Sequence, residues 1–144
     1  MKTFLVFFSS LLCFPAWSQT PLGVNFRWHI SHHCSNISPL IKLKNIPPGT
    51  THLVVNMVDL DNKNHGHGGA TLVRPEGFPA EYEIAAGGLD KSTGPCPENF
   101  TTLGHEYQFN VSAMSSDHKN LASGSAKATF SAKFVILQGV IGNP

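Results

Sequence analysis

An apolar run of Leu53, Val54, Val55, Met57 and Val58 breaks off at two carboxylates, Asp59 and Asp61. A polar turn follows. Then come His65 and His67, set among Gly66, Gly68 and Gly69, and a second apolar run of Ala70, Leu72 and Val73. Strand, acidic end, His/Gly loop and strand is the order in which a fold presents polar groups at the rim of a sheet. Glycine lets the backbone approach a ligand closely and take positive φ. Loops held by a rigid scaffold are where binding groups concentrate. The stretch from Met57 to Val73 therefore reads as half of a small pocket, and the remaining chain builds the other half or supports it.

The rest of the chain is consistent with a sheet protein. Val24, Phe26, Trp28 and Ile30 alternate with Asn25, Arg27 and His29, the period of a half-buried strand. Ile41 and Leu43 alternate with Lys42 and Lys44, and Pro47-Pro48-Gly49-Thr50 is a turn by composition. Thr51 to Val58 lacks clean alternation, which predicts a strand central in its sheet. Glu81 to Ala86 reads as a short strand. Tyr107, Phe109, Val111 and Ala113 alternate with Glu106, Gln108, Asn110 and Ser112, the clearest strand in the chain. Asp117 is placed to cap a short helix running to Ala128, and Phe134 to Val140 reads as a last strand. Ten Pro and 13 Gly scattered along the chain favour short elements over long helices. The expected class is mainly β: an antiparallel β-sandwich or barrel with one or two short helices.

With 144 residues the chain is expected to form one domain. A net charge of +1 and 13% charged residues exclude an electrostatic nucleic-acid binder, which needs a clustered basic face. The first 18 residues read as a signal peptide. Lys2 is its positive end, Phe4 to Leu12 its apolar core and Ala16-Trp17-Ser18 its small-x-small cleavage site. The domain is then 19–144, exported to the periplasm or beyond, with no transmembrane anchor because the apolar stretch is too short to span a bilayer. A lipoprotein reading through Cys13 is weaker, since Ser10 stands where a lipobox usually has Leu. Removal of the leader leaves Cys34 and Cys96. In an oxidising compartment two thiols are more often a disulfide than a metal pair; two unrelated thiols are the alternative.

In this order the motifs resemble the phosphatidylethanolamine-binding protein family, in its bacterial Raf-kinase-inhibitor-like branch. The resemblance covers about Cys34 to Ala128. It is carried by Cys34-Ser-Asn-Ile-Ser-Pro39, Pro48-Gly49-Thr50, Asp59-Leu-Asp61, His67-Gly-Gly-Ala-Thr71, Gly94-Pro-Cys-Pro97 and Gly104-His-Glu-Tyr107. It implies a β-sandwich with a small anion-accepting pocket for phosphate, acetate or a phospholipid headgroup. Asp59, Asp61, His67, Gly94, Pro95, His105 and Tyr107 would line that pocket, with His65 as the rival of His67. The chain departs from the family pattern in three places. Leu60 and Lys63 stand where the family has prolines, so the loop is less pre-set in φ. Glu106 replaces an Arg, and there is an extra His-Gly step. The resemblance implies binding rather than turnover, with no cofactor; family members are also linked to the control of partner proteins.

Each of these residues has a plainer reading. His67 can donate to an anion oxygen and gain charge as it does so, or be an ordinary loop histidine. Asp59 and Asp61 can orient a histidine tautomer or simply make Asx turns. Gly94 and Pro95 can face a ligand or form a turn pinned by Cys96. Tyr107 lies on the apolar face, where its hydroxyl needs a partner. A separate reading joins His29, His32, His33, Cys34, His65 and His67 into a Zn or Cu site, making the protein an exported metal binder. Against it, adjacent His32 and His33 on a strand would face opposite ways.

Overall fold

The structure is a computed structural model and describes residues 21–141. The expected leader lies outside them. Among the described residues, seven strands form two antiparallel sheets. The smaller has the order β1 (Gly23–Phe26), β2 (Ile41–Lys44), β5 (Tyr82–Ile84). The larger has the order β4 (Gly66–Val73), β3 (His52–Asp59), β6 (His105–Met114), β7 (Asn120–Phe130). No helix among the described residues is long and apolar enough to cross a membrane.

The alternating segments behave as their patterns require. On β2, Ile41 and Leu43 are buried, while Lys42 and Lys44 face solvent and pair with Glu83 and Glu81. On β6, Tyr107, Phe109, Val111 and Ala113 are all buried. β3 is central, with β4 on one side and β6 on the other, and its Leu53, Val55 and Met57 enter the core. An aromatic cluster fills the space between the sheets at one end. Trp28 lies edge-on to Phe26, Tyr107 and Phe130, at centroid distances of 5.1, 5.9 and 5.5 Å. Its indole N–H donates to the Ala128 carbonyl at 3.2 Å, so the ring is buried without an orphaned donor.

Three segments differ from expectation. The first strand stops at Phe26; Ile30 opens a 3-10 turn, Ile30–His32, rather than continuing the alternation. His29 and His32 close that turn reciprocally, since the His29 N–H donates to His32 Nδ1 and the Ser31 N–H donates to His29 Nδ1. Second, Asp117 caps no helix. Residues 115–119 are the tight connection of a hairpin, with the Ser115 N–H donating to the Lys119 carbonyl and the Ser115 hydroxyl to Asp117. The following residues form β7 over its full length. Its inward residues are small (Ala122, Ala126 and Ala128 pack against the core), so the alternation carries little hydrophobic contrast, and ladder pairing with β6 decides the conformation.

Third, the last apolar run is a helix, α1 (Ala132–Ile141), not a strand. A short run without polar punctuation does not distinguish the two by period. Ser131 does. Its hydroxyl accepts from the Phe134 N–H at 3.4 Å and its carbonyl from the Val135 N–H at 3.0 Å, the arrangement of an N-cap.

Candidate functional site

Asp59 ends β3, where the sheet gives way to the turn toward β4. It is 3% exposed, and a carboxylate so placed needs partners. Its Oδ1 accepts from the N–H groups of Asp61 and Asn62, both at 2.9 Å. Its Oδ2 accepts from His105 Nδ1 at 2.7 Å. The Asx turn and the histidine-orienting role thus coexist in one residue. Burial works to raise the Asp59 pKa, but the bonds from His105 and from the two backbone N–H groups outweigh it and hold the carboxyl below its usual range. The ionised form is therefore the native one, and His105 carries its proton on Nδ1.

Directly opposite Asp59 in the β3–β6 ladder stands Tyr107, 1% exposed. Burial pushes its hydroxyl pKa well up, and the adjacent Asp59 carboxylate adds to the shift, so the phenol stays neutral.

His67 reaches the same place through a one-residue bulge. Val58 pairs with Gly66 and Asn56 with Gly69, so two β4 residues, His67 and Gly68, stand opposite Met57. Downstream of the bulge the inward positions of β4 are even-numbered, Ala70 and Leu72. Upstream, the inward position is His67, which is 2% exposed. Gly68 makes this possible. Its φ is +71°, and a Cβ there would lie 1.7 Å from the Lys91 carbonyl oxygen, so no other residue fits.

The segment that presses on Gly68 also orients the imidazole. The Thr93 carbonyl accepts from His67 Nδ1 at 3.1 Å, and the Thr93 N–H donates to the His67 carbonyl at 2.9 Å. A carbonyl can only accept, so the Nδ1 proton is assigned and Nε2 is left facing away. Nε2 is buried without a hydrogen-bond partner among the described residues. It stands 3.9 Å from Asp59 Oδ2, too far for a hydrogen bond. The His67 ring lies edge-on to Tyr107 at 5.1 Å and beside His65 at 4.8 Å.

These groups line one cavity of about 570 Å³: Asp59, Asn62, His65, His67, Cys96, Glu98, Asn99, His105 and Tyr107. Two segments far apart in sequence, 59–67 and 96–99, meet there. Five of the eight residues singled out from sequence share the cavity. Asp61, Gly94 and Pro95 are not among its lining residues. Asp61 Oδ2 accepts from the Glu106 N–H at 2.7 Å and ties the turn to β6. Gly94 is buried against the segment that holds Cys34, donating to the Ser35 carbonyl at 2.6 Å; Pro95 accepts from the Cys34 N–H at 2.9 Å. The two glycine–proline positions thus secure the wall behind Cys96 instead of forming its surface. Sequence reasoning missed Asn62, Cys96 as a lining residue, Glu98 and Asn99. The Asn99 Oδ1 is a second buried polar atom without a partner among the described residues.

No protein-family model matches this chain, and no curated protein is significantly similar to it.

The cysteines do pair: Cys34 and Cys96 form a disulfide with Cα atoms 4.5 Å apart. The residues proposed for a metal site fall in separate places, His29 and His32 in the 3-10 turn and His65 and His67 at the cavity. His33 stacks on Phe100 at 4.2 Å, His32 is buried against Trp28, and Cys34 is committed to the bridge. Among the described residues no group of three or more His, Cys, Asp or Glu is arranged to hold a metal ion. The cavity instead collects ring nitrogens and amides around Asp59, whose oxygens are already occupied, with the exposed Glu98 as its second carboxylate.

Proposed function

We propose that this cavity binds a small oxyanion, either phosphate or the phosphorylated headgroup of a phospholipid, in an exported domain of the phosphatidylethanolamine-binding type. The observation that carries the reading is His67 Nε2. Leaving a buried polar atom unpaired costs about 1–3 kcal/mol, and a ligand that supplies the partner recovers it. With Nδ1 donating to Thr93, the lone pair of Nε2 is left to accept from a protonated oxygen (P–OH) of the bound phosphate, a hydrogen bond strengthened by the ligand's charge. Asp59 does not repel such a ligand as a free carboxylate would. Three N–H donors, from Asp61, Asn62 and His105, screen it.

The amides of Asn62 and Asn99 and the Nε2 of His105 supply further contacts. The sequence order of motifs from Cys34 to Tyr107 supports the family reading, and the disulfide supports an oxidising compartment. Binding without turnover is the activity, and modulation of a partner protein by the loaded form is its extension.

Calorimetric titration of the oxidised protein with inorganic phosphate and with phosphoethanolamine tests this. The His67→Ala variant is expected to bind about tenfold or more weakly, the loss of one charge-assisted hydrogen bond. Equal affinity in the variant, or no saturable binding of either ligand by the parent protein, overturns the proposal.

A further inference from the structure

The Cys34–Cys96 bridge is solvent-exposed at both residues, and Cys96 lines the same cavity as His67. Exposed disulfides are the labile ones, because a thiolate can reach a sulfur atom. The bridge is also only three residues from the group that orients His67. Thr93, which fixes the imidazole, precedes Gly94-Pro95-Cys96. Besides the bridge, that run is held to the Cys34 segment by two backbone hydrogen bonds, Cys34 N–H to Pro95 and Gly94 N–H to Ser35. Cys34 itself sits at φ +49°, a left-handed conformation that a non-glycine residue rarely keeps unless its surroundings impose it.

We propose that the bridge is a thiol-exchange site that sets the state of the cavity, with low-molecular-weight dithiols as the reacting class. A dithiol thiolate entering from the cavity attacks Sγ of Cys96. The S–S bond breaks, and its electron pair leaves on Sγ of Cys34, which takes a proton from solvent. The second thiol of the reductant then attacks the mixed disulfide, releasing Cys96 as a thiol and leaving the reductant as a disulfide. Two electrons pass to the protein.

Cys34, no longer tethered, relaxes out of the left-handed region and its N–H leaves Pro95. The Thr93–Cys96 run moves, and His67 loses the acceptor that fixes its tautomer. The sheets do not depend on this segment: the buried core is made of strand and helix residues together with Leu22, Trp28, Ile46, Phe78 and Leu89, none of them in the Thr93–Cys96 run. The effect on ligand affinity rests on the oxyanion reading; the effect on the His67 ring does not.

The experiment reduces the oxidised protein with dithiothreitol and follows four readouts: free thiols by alkylation, amide exchange, the His67 ring tautomer by nitrogen NMR, and phosphate affinity. The expected result is two new thiols, β6 amides that stay better protected than the loop, faster exchange at Thr93 and Gly94, and loss of the Nδ1–H signature of His67. Phosphate affinity is expected to fall about tenfold. The Cys34→Ser/Cys96→Ser variant, which has no bridge thiols to alkylate, is expected to give the other three readouts without reductant. An unchanged His67 ring after reduction overturns the proposal. So do β6 amides that exchange as fast as those of Thr93 and Gly94, in either the reduced protein or the variant, since the loop would then open only with the whole domain. So does a bridge that dithiothreitol leaves intact in the folded protein. A ring that changes while neither redox form binds phosphate upholds the exchange site and removes the oxyanion reading alone.

Discussion

One wall of the cavity is sheet and the other is loop, and different forces hold them. Asp59, His105 and Tyr107 stand on adjacent strands in an unbroken ladder, with Phe109 fully buried one inward position further along β6. Displacing any of them means breaking backbone pairs and core packing together. The 93–99 wall has no strand pairing. It is held by the disulfide, by the paired bonds between Thr93 and His67, and by two bonds to the Cys34 segment. The sheet wall is thus rigid by cooperation, the loop wall by a few separable links. The unpartnered nitrogen of His67 depends on both, since β4 carries the ring and the loop fixes its orientation.

The largest expected effect that sharpens this contrast is removal of the bridge. Its cysteines are 62 residues apart, and the chain-entropy treatment assigns a loop of that size about 4 kcal/mol. The Cys34→Ser/Cys96→Ser variant should lower the urea midpoint accordingly. Local opening should concentrate in 93–96; equal deprotection of β6 would erase the distinction between the walls.

Next is Asp59→Ala in the sheet wall. It strips the partner from two backbone N–H groups and from His105, and is expected to cost about 3 kcal/mol. The pH dependence of Asp59 has a definite sign. Its folded pKa lies below the unfolded value of about 3.9. Its contribution is therefore complete above about pH 4 and disappears as pH falls through the folded value. Urea midpoints measured at about pH 7 and about pH 3 should converge in Asp59→Asn and diverge in the parent; parallel loss in both would deny Asp59 this role.

Gly94→Ala probes the loop wall from behind. A Cβ there would lie 2.4 Å from the Ser35 carbonyl oxygen and 2.6 Å from that of His32. Backbone cannot yield as a side chain can, so a loss of about 2 kcal/mol is expected, together with weaker phosphate binding. A neutral result would mean that the loop wall adjusts freely. The smallest effect belongs to His65→Gln. His65 is exposed, and its replacement should change thermal stability by less than about 0.5 kcal/mol. A larger shift would show that the rim histidine supports His67 instead of merely neighbouring it.

Much of the sheet wall was legible before the structure. The alternation from Glu106 to Ala113 specifies which face of β6 is buried, and Asp59 at the end of an apolar run marks the rim. The inward turn of His67 was not legible, because nothing in Gly66-His67-Gly68-Gly69 says which glycine absorbs the extra residue. The loop wall was least legible of all. Its key bond joins His67 to Thr93 across 26 residues, and Gly94 and Pro95, buried against the Cys34 segment, are not among the residues that line the cavity. At the end of the chain, the low contrast of an alanine-rich strand and an apolar run without punctuation concealed β7 and α1.

The bulge in β4 has a consequence for how such a protein can change. It acts as a phase shift in the strand: on one side odd-numbered side chains point inward, on the other even-numbered ones do. Residues before it can be gained or lost in the tip of the hairpin without disturbing Ala70 and Leu72, which remain locked to the core. Removing Gly68 itself would set His67 directly opposite Met57, still an inward position, while the close approach of Lys91 to the strand was lost. A single-codon deletion there could thus alter how the loop wall seats on the sheet without turning the imidazole out of the cavity.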